Sequence, residues 1–423
     1  MNKVALLFPG QGSQYVGMGK ELYDKFDKAK EIFNTANEVL GFDLKKLCFE
    51  GDSEELTKTE NTQPALLTVS YAAFNAFKEI FELEPEFLAG HSLGEYSALL
   101  CSEVINFSDA LQIVRKRGEF MREAAEDGLG CMFAVRDLNK KFIEQICNDI
   151  SNNDEVVVVS NYNSPSQTII SGHKSAAEKA VRKLEDMSIQ TTKLNVSAAF
   201  HSPLMQGVSK KLRNELMKYR YNDFKYPVIS NVYAKPYENS KTIITTLTEQ
   251  LIKPVKWADT IKYLESKDIN IAIEIGSKNV LRNLVTSNSN KMAAYSIDNK
   301  EDIRLLEDDL KGRNNITKSN LNVVTRCLAI AVCTRNRNWN NEEYTKGVIE
   351  PYKKLQIMQE KIDDTGKMLS VEEMKESLEL LKTIFKTKKV SKEEQEARFE
   401  QIFSETGTKN IFADSNRNIE SFS

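Results

Sequence analysis

The chain has 423 residues, with 58 Lys and Arg against 61 Asp and Glu and a formal net charge of −3. At about 150 residues per domain this length suits roughly three structural units, and a composition of 41% hydrophobic and 28% charged residues excludes a disordered chain. The balanced charge offers no basic field for nucleic acid or anionic lipid.

Three histidines and six cysteines without C-x-x-C spacing carry no zinc signature. Val4 to Phe8 is too short for the apolar part of a signal peptide, and Leu321 to Cys333, the longest membrane-span candidate, is broken by Arg326. The expectation is a cytoplasmic protein with reduced thiols and no metal.

Val4 to Phe8 reads as a strand ending in the turn-rich Pro9-Gly10-Gln11-Gly12-Ser13-Gln14. Gln63 to Phe81 carries a helical apolar stripe, Phe87 to Gly90 a buried strand, and Ala98 to Cys101 a helix. A further helix is expected from about Ser108, a plausible N-cap, through Met121. Strand alternating with helix predicts a mainly parallel sheet covered on both faces.

From about Gly128 to Val196 the order becomes β-α-β-β-α-β, the ferredoxin-like arrangement. The strands are Cys131 to Val135, Glu155 to Ser160, Gln167 to Ser171 and Thr191 to Val196, with helices at Leu138 to Ile150 and Ser175 to Met187. Strands at Pro227 to Val232, Ile269 to Ile275 and Met292 to Ile297 then resume the parallel pattern. The predicted fold class is α/β, with a large domain over 1–127 and 197–311, a ferredoxin-like insert over 128–196, and a helical extension over 312–423. Gly312 to Asn315 reads as a linker. Ser370 with Glu373 and Ser391 with Glu394 read as capping boxes, and the residues after about Phe412 read as frayed. The amphipathic helices of the extension must bury their apolar face, either as a brace on the large domain or as a docking surface.

Gly90-His91-Ser92-Leu93-Gly94 is a G-x-S-x-G pattern between a predicted strand and a predicted helix. That context makes Ser92 a candidate nucleophile at the head of a helix. A serine needs a base. His91 should point away from Ser92, and His173 reads as a surface residue. His201, at the junction back to the large domain, is either the base or a buried structural residue. No acidic residue near His201 is an obvious third member, so a dyad oriented by a backbone carbonyl would suffice. The Gly10 to Gln14 loop lacks the spacing of dinucleotide and P-loop motifs. It is either a simple turn or a donor of a backbone N–H to an oxyanion hole. Arg117 shares a helix face with Met121. It is either paired with a buried carboxylate or a clamp for a substrate carboxylate.

Phe8-Pro9-Gly10-Gln11-Gly12-Ser13-Gln14, Thr62-Gln63-Pro64-Ala65, Gly90 to Tyr96 and Phe200-His201-Ser202 resemble the malonyl-CoA:acyl-carrier-protein transacylases. Glu249-Gln250-Leu251, Pro254-Val255-Lys256-Trp257 and Glu274-Ile275-Gly276 extend the resemblance over about residues 1–310. It implies an α/β-hydrolase-like large domain with a ferredoxin-like insert. It also implies Ser92 as the acylated nucleophile, His201 as its base and the Gln250 carbonyl as the group orienting the imidazole. Backbone N–H groups of Gln11 and Leu93 would form the oxyanion hole. Arg117 would bind the malonyl carboxylate, and Gln63, Met121 and Phe200 would line the substrate pocket, Phe200 resembling the malonyl-selecting form. Ser277-Lys278-Asn279 departs from the Pro-Gly-rich turn of the family, and the extension resembles those of free-standing acyltransferases that load polyketide synthases in trans.

The expected activity is transfer of malonyl from malonyl-CoA to the phosphopantetheine thiol of an acyl carrier protein, for fatty-acid or polyketide synthesis, without a cofactor. An acyl hydrolase, a general serine esterase and an idle docking scaffold are the alternatives.

Overall fold

Strand β1, Val4–Phe8, is buried along its whole length, as a central strand of a parallel sheet covered on both faces must be. It pairs in parallel with β2 (Phe87–Gly90) on one side, and β2 pairs in turn with the short β7 (Val228–Ile229). On the other side β1 pairs with β8 (Ile271–Glu274), which pairs with β9 (Ala293–Ser296). The period of two along β1 splits the core. Val4, Leu6 and Phe8 face one apolar cluster with Leu66, Val69 and Ile113, while Ala5 and Leu7 face another with Trp257, Ile261 and Val285.

The second sheet is antiparallel, built from β3 (Gly130–Arg136), β4 (Val157–Ser164), β5 (Gln167–His173) and β6 (Gln190–Lys193). Its order is β4-β5-β3-β6. Helices Lys140–Ile150 and Lys174–Asp186 supply a separate core with Val135, Ile143, Ile170 and Leu184. The β4 edge is tied to the larger part by Val255, which donates to Ser160 and accepts from Tyr162, both at 2.9 Å.

The computed structural model describes residues 2–126, 128–136, 140–196, 198–310, 323–338, 340–365, 369–406 and 408. The chain divides into two compact units, Met1–Leu310 and Lys311–Ser423. The described residues of the second form helices whose apolar faces meet one another: Val324, Cys327, Leu355, Leu381, Phe385 and Ile402 share one core. The extension therefore buries its apolar stripe internally. Ser370 and Glu373 form the reciprocal capping box that opens Val371–Thr387. At Ser391 the hydroxyl accepts from the Glu394 N–H at 3.3 Å, the first half of the same device. The expected linker and frayed end lie outside the described residues, as do 138 and 139 of the expected helix from Leu138.

Three sequence expectations are corrected. The helix expected from Ser108 spans Phe107–Glu123 and is capped by Asn106, whose side chain accepts from the Asp109 N–H at 2.9 Å. The strand expected over Pro227 to Val232 stops at Ile229. Its successor Ser230 bonds to Lys235 across a turn instead of continuing the ladder. The strand expected to run to Val196 ends at Lys193; the paired register with β3 covers Gln190 to Lys193, and one further bond, from the Leu194 N–H to the Met132 carbonyl at 3.0 Å, follows it.

Candidate active site

β2 delivers the chain to Ser92, which sits at φ 51°, a region L-residues avoid. Partners far along the chain hold both sides of this residue. Its N–H donates to Asn231 Oδ1 at 2.7 Å, and its carbonyl accepts from Gln250 Nε2 at 2.9 Å. The helix Gly94–Cys101 then begins so close to β1 that a Cβ at Gly94 would lie 1.9 Å from the Phe8 carbonyl oxygen. That approach requires the second glycine of the motif.

His201 is also at positive φ, 56°, and its imidazole reaches the serine. Ser92 Oγ lies 2.8 Å from His201 Nε2, and His201 Nδ1 lies 2.6 Å from the Gln250 carbonyl oxygen. Gln250 ends the helix Ile243–Gln250, and last-turn carbonyls have no partner within their own helix. Since a carbonyl only accepts, Nδ1 carries the proton and Nε2 presents its lone pair to the serine hydroxyl. Burial, and then the positive charge of Arg117, push the imidazole pKa down to about 3. The ring is neutral at neutral pH.

Arg117, 1% exposed, comes to this point because two helices approach closely. A Cβ at Gly118 would lie 2.5 Å from the Glu60 Cα of the Thr59–Ile80 helix. Pro64 in that helix cannot donate to Glu60, and the Glu60 carbonyl instead accepts from Arg115 Nη1 at 2.9 Å, stitching the pair. Arg117 Nη1 donates to Gln63 Oε1 at 2.8 Å, and Nη2 donates to both Ser92 Oγ and Gln250 Oε1 at 3.2 Å. The guanidinium also lies 5.3 Å from the Tyr96 ring centroid. Among the described residues its side chain forms no ion pair, and its buried Nε has no hydrogen-bond partner. Burial lowers its pKa.

A cavity of about 970 Å³ opens over these groups, lined by Gln11, Leu93, Met121 and Phe200 as well as Ser92, Arg117 and His201. Met132 and Ile169 of the antiparallel sheet also line it. Gln63, expected to line the pocket, lies behind the guanidinium. It is fully buried, its Oε1 taken by Arg117 and its Nε2 3.3 Å from Met121 Sδ. Gln250 is likewise buried beneath the cavity floor. His91 points away from the serine to Asn163, 2.9 Å from its Nε2. His173, read as a surface residue, is half-buried because its Nδ1 accepts the Val156 N–H at 2.9 Å. The variant turn near the cavity is closed by Lys278, at φ 61°, whose N–H donates to Asp298 and whose Nζ donates to the Gly12 carbonyl at 3.1 Å.

Sequence reasoning missed Glu95, Asn231, Tyr237 and Asn163. Glu95, the one charged residue of the Gly94–Cys101 helix, has a readable signal. Asn231 reaches the site only because the chain turns after Ile229. Its Nδ2 donates to the Gly90 carbonyl at 2.6 Å. Among the described residues no cluster of three or more His, Cys, Asp or Glu could hold a metal ion, and no helix is long and apolar enough to cross a membrane.

Residues 5–315 match the acyl transferase domain family. A malonyl CoA-acyl carrier protein transacylase of Bacillus subtilis is 38% identical over 395 residues, covering 93% of this chain and 99% of that protein. Another, from Bacillus subtilis strain 168, is 42% identical over 316 residues, covering 74% of this chain and 99% of that protein. Among solved structures, a malonyl-transacylase in complex with its type II polyketide synthase acyl-carrier protein superimposes with a TM-score of 0.70 at 35% identity. The match covers 73% of this chain and all of that one. Its parallel and antiparallel sheets and these matches together place the chain in the malonyl-CoA:acyl-carrier-protein transacylase family of acyl transferase domains.

Proposed function

We propose that the protein transfers malonyl from malonyl-CoA to the phosphopantetheine thiol of an acyl carrier protein, serving fatty-acid synthesis or a polyketide synthase in trans. The observation that carries this is the convergence of a nucleophile, a base and a cation on one atom. Ser92 Oγ lies 2.8 Å from His201 Nε2 and 3.2 Å from Arg117 Nη2. A hydrolase of neutral acyl chains has no use for a buried guanidinium beside its serine. A docking scaffold has none for a serine–imidazole pair.

In the first half-reaction Ser92 Oγ attacks the thioester carbon while His201 Nε2 takes the hydroxyl proton. The oxyanion is held by the N–H groups of Gln11 and Leu93. The tetrahedral adduct collapses, the C–S bond breaks, and His201 returns the proton to the departing CoA sulfur, leaving malonyl on Ser92. The second half-reaction repeats these steps with the carrier's thiol as nucleophile and Ser92 Oγ as leaving group. Arg117 binds the free carboxylate and so fixes the acyl group over the serine. Met121 and Phe200 bound the space left for it. Atoms and electrons balance without metal or redox cofactor.

The finer architecture in this reading is an α/β-hydrolase-like domain over 1–127 and 197–311, a ferredoxin-like insert over 128–196 and a helical domain over 312–423. The insert's order, with its third strand between its first and second, supports that description. The reading places the enzyme in the cytoplasm, and six unpaired thiols fit a reducing compartment.

Incubation with malonyl-CoA should add one malonyl group at Ser92, seen by intact mass and peptide mapping, and Ser92→Ala should abolish it. A label that survives in Ser92→Ala overturns the assignment.

A further inference from the structure

We infer that Glu95 is a positioning residue for the transacylation, setting the orientation of the Gln250 side chain and thereby the placement of the Ser92 turn and the Arg117 guanidinium. The assignment rests on the transacylase reading above. Glu95 is fully buried on the helix that begins at Gly94, where an unpaired carboxylate would be costly. Three donors from two other segments converge on it. Its Oε2 accepts from Gln250 Nε2 at 2.6 Å and from the Asn231 N–H at 3.1 Å, and its Oε1 accepts from the Tyr237 hydroxyl.

The physical point is the polarity of the Gln250 amide. A carboxylate oxygen accepts, so Gln250 must turn its NH2 toward Glu95 and its Oε1 toward Arg117. In that orientation Nε2 also donates to the Ser92 carbonyl and Oε1 receives Arg117 Nη2. A flipped amide would set its NH2 against the guanidinium and leave the Ser92 carbonyl facing an oxygen. The same Gln250 residue supplies the backbone carbonyl that orients His201. Asn231, held by its N–H, uses its side chain on both Ser92 and Gly90. Glu95, at the shortest of these contacts, therefore anchors the polarity of the site beneath the reacting serine together with the Ser92 carbonyl and Arg117.

The groups facing Glu95 are Arg117 from the Phe107–Glu123 helix, Tyr237, and Tyr96 on its own helix. Burial raises the Glu95 pKa to about 7, against the three donors and Arg117. In either protonation state Oε2 keeps lone pairs for Gln250 and Asn231, so the orientation holds across neutral pH.

The test is single-turnover acylation by malonyl-CoA in the full chain, with rate constant and half-saturation concentration measured separately. Glu95→Met keeps the volume and removes the acceptor. It should slow acylation at saturation about 100-fold with half-saturation changed less than threefold. Glu95→Gln can present its oxygen to Gln250 and Asn231 and its NH2 to the Tyr237 hydroxyl, and should restore the rate to within tenfold of wild type. Equal rates in the Met and Gln variants overturn the assignment, because volume alone would then be the role.

Should Glu95→Met fail to fold, Tyr237→Phe and Glu95→Gln decide. Each alone should slow acylation by less than tenfold, but together by at least tenfold more than the product of their effects, since the introduced amide then has no acceptor for its NH2. Independent effects overturn the assignment. A wild-type protein that takes no malonyl at Ser92 strikes the transacylase reading itself, a result separable from every outcome above.

Discussion

The serine site of the Met1–Leu310 unit and the helices of the Lys311–Ser423 unit use opposite kinds of structure. At the site, Ser92 and His201 hold positive φ and are fixed by groups 139, 158 and 49 residues away in sequence. In the helical unit, Ser370 and Glu373 cap each other three residues apart. The positive φ of Lys389 occurs just past a helix end, where the chain leaves the helix. Lys388 closes that unit's own frame, donating to the carbonyls of Ala331 and Thr334 at 2.6 and 2.9 Å. At the site, the strained backbone of Ser92 and His201 is held by hydrogen bonds to partners distant in the sequence. Locally consistent helices suffice where packing alone is required.

The largest expected break in this contrast is chemical. His201→Ala should slow acylation by malonyl-CoA about 10²–10⁴-fold, the range for loss of a general base, measured by quench-flow and intact mass. A variant with near-normal rate would assign the proton to another group.

Next is Gly94→Ala. Its new Cβ would meet the backbone oxygen of Phe8 at 1.9 Å, which no side-chain rotation relieves. Destabilisation of about 3 kcal/mol, the upper part of the overpacking range, should appear in denaturant unfolding. A loss below about 1 kcal/mol would mean the turn relaxes freely, contrary to a strained site.

Arg117→Ala should cost about 1.5–3 kcal/mol of transition-state stabilisation with malonyl-CoA, at least tenfold in kcat/KM, while acetyl-CoA is used as well or better. The sign of its pH effect also follows. The Arg117 charge depresses the His201 pKa, so its removal should raise that pKa and move the acid limb of acetyl-CoA acylation to higher pH. A wild-type preference for acetyl-CoA would remove the clamp from the mechanism.

The smallest effect sharpens the other half of the comparison. Ser370→Ala removes the cap of Val371–Thr387 and should lower the stability of the helical unit by about 1 kcal/mol, read by hydrogen exchange in that unit. Malonyl labelling of Ser92 should be unchanged. The helical unit and the site would be coupled if acylation slowed in step.

Much of this molecule is legible from neighbouring residues alone. The limits of β1 and β2, the βαββαβ order, the capping box at Ser370 and the strand–turn–helix around Ser92 all follow from patterns a few residues long. Periodicity and turn chemistry act at that range. With three histidines in the sequence, His201 is one of few candidates for a base.

Tertiary structure decided the rest. Only there does Gln63 fall behind Arg117 instead of lining the cavity, and only there do Asn231, Tyr237 and Glu95 converge beneath Ser92. The extension, too, finds its apolar partner within itself. The physical reason is common to these cases. A buried polar or apolar group takes whichever partner packing brings within reach, and that partner stands dozens to more than a hundred residues away, where no local pattern records it.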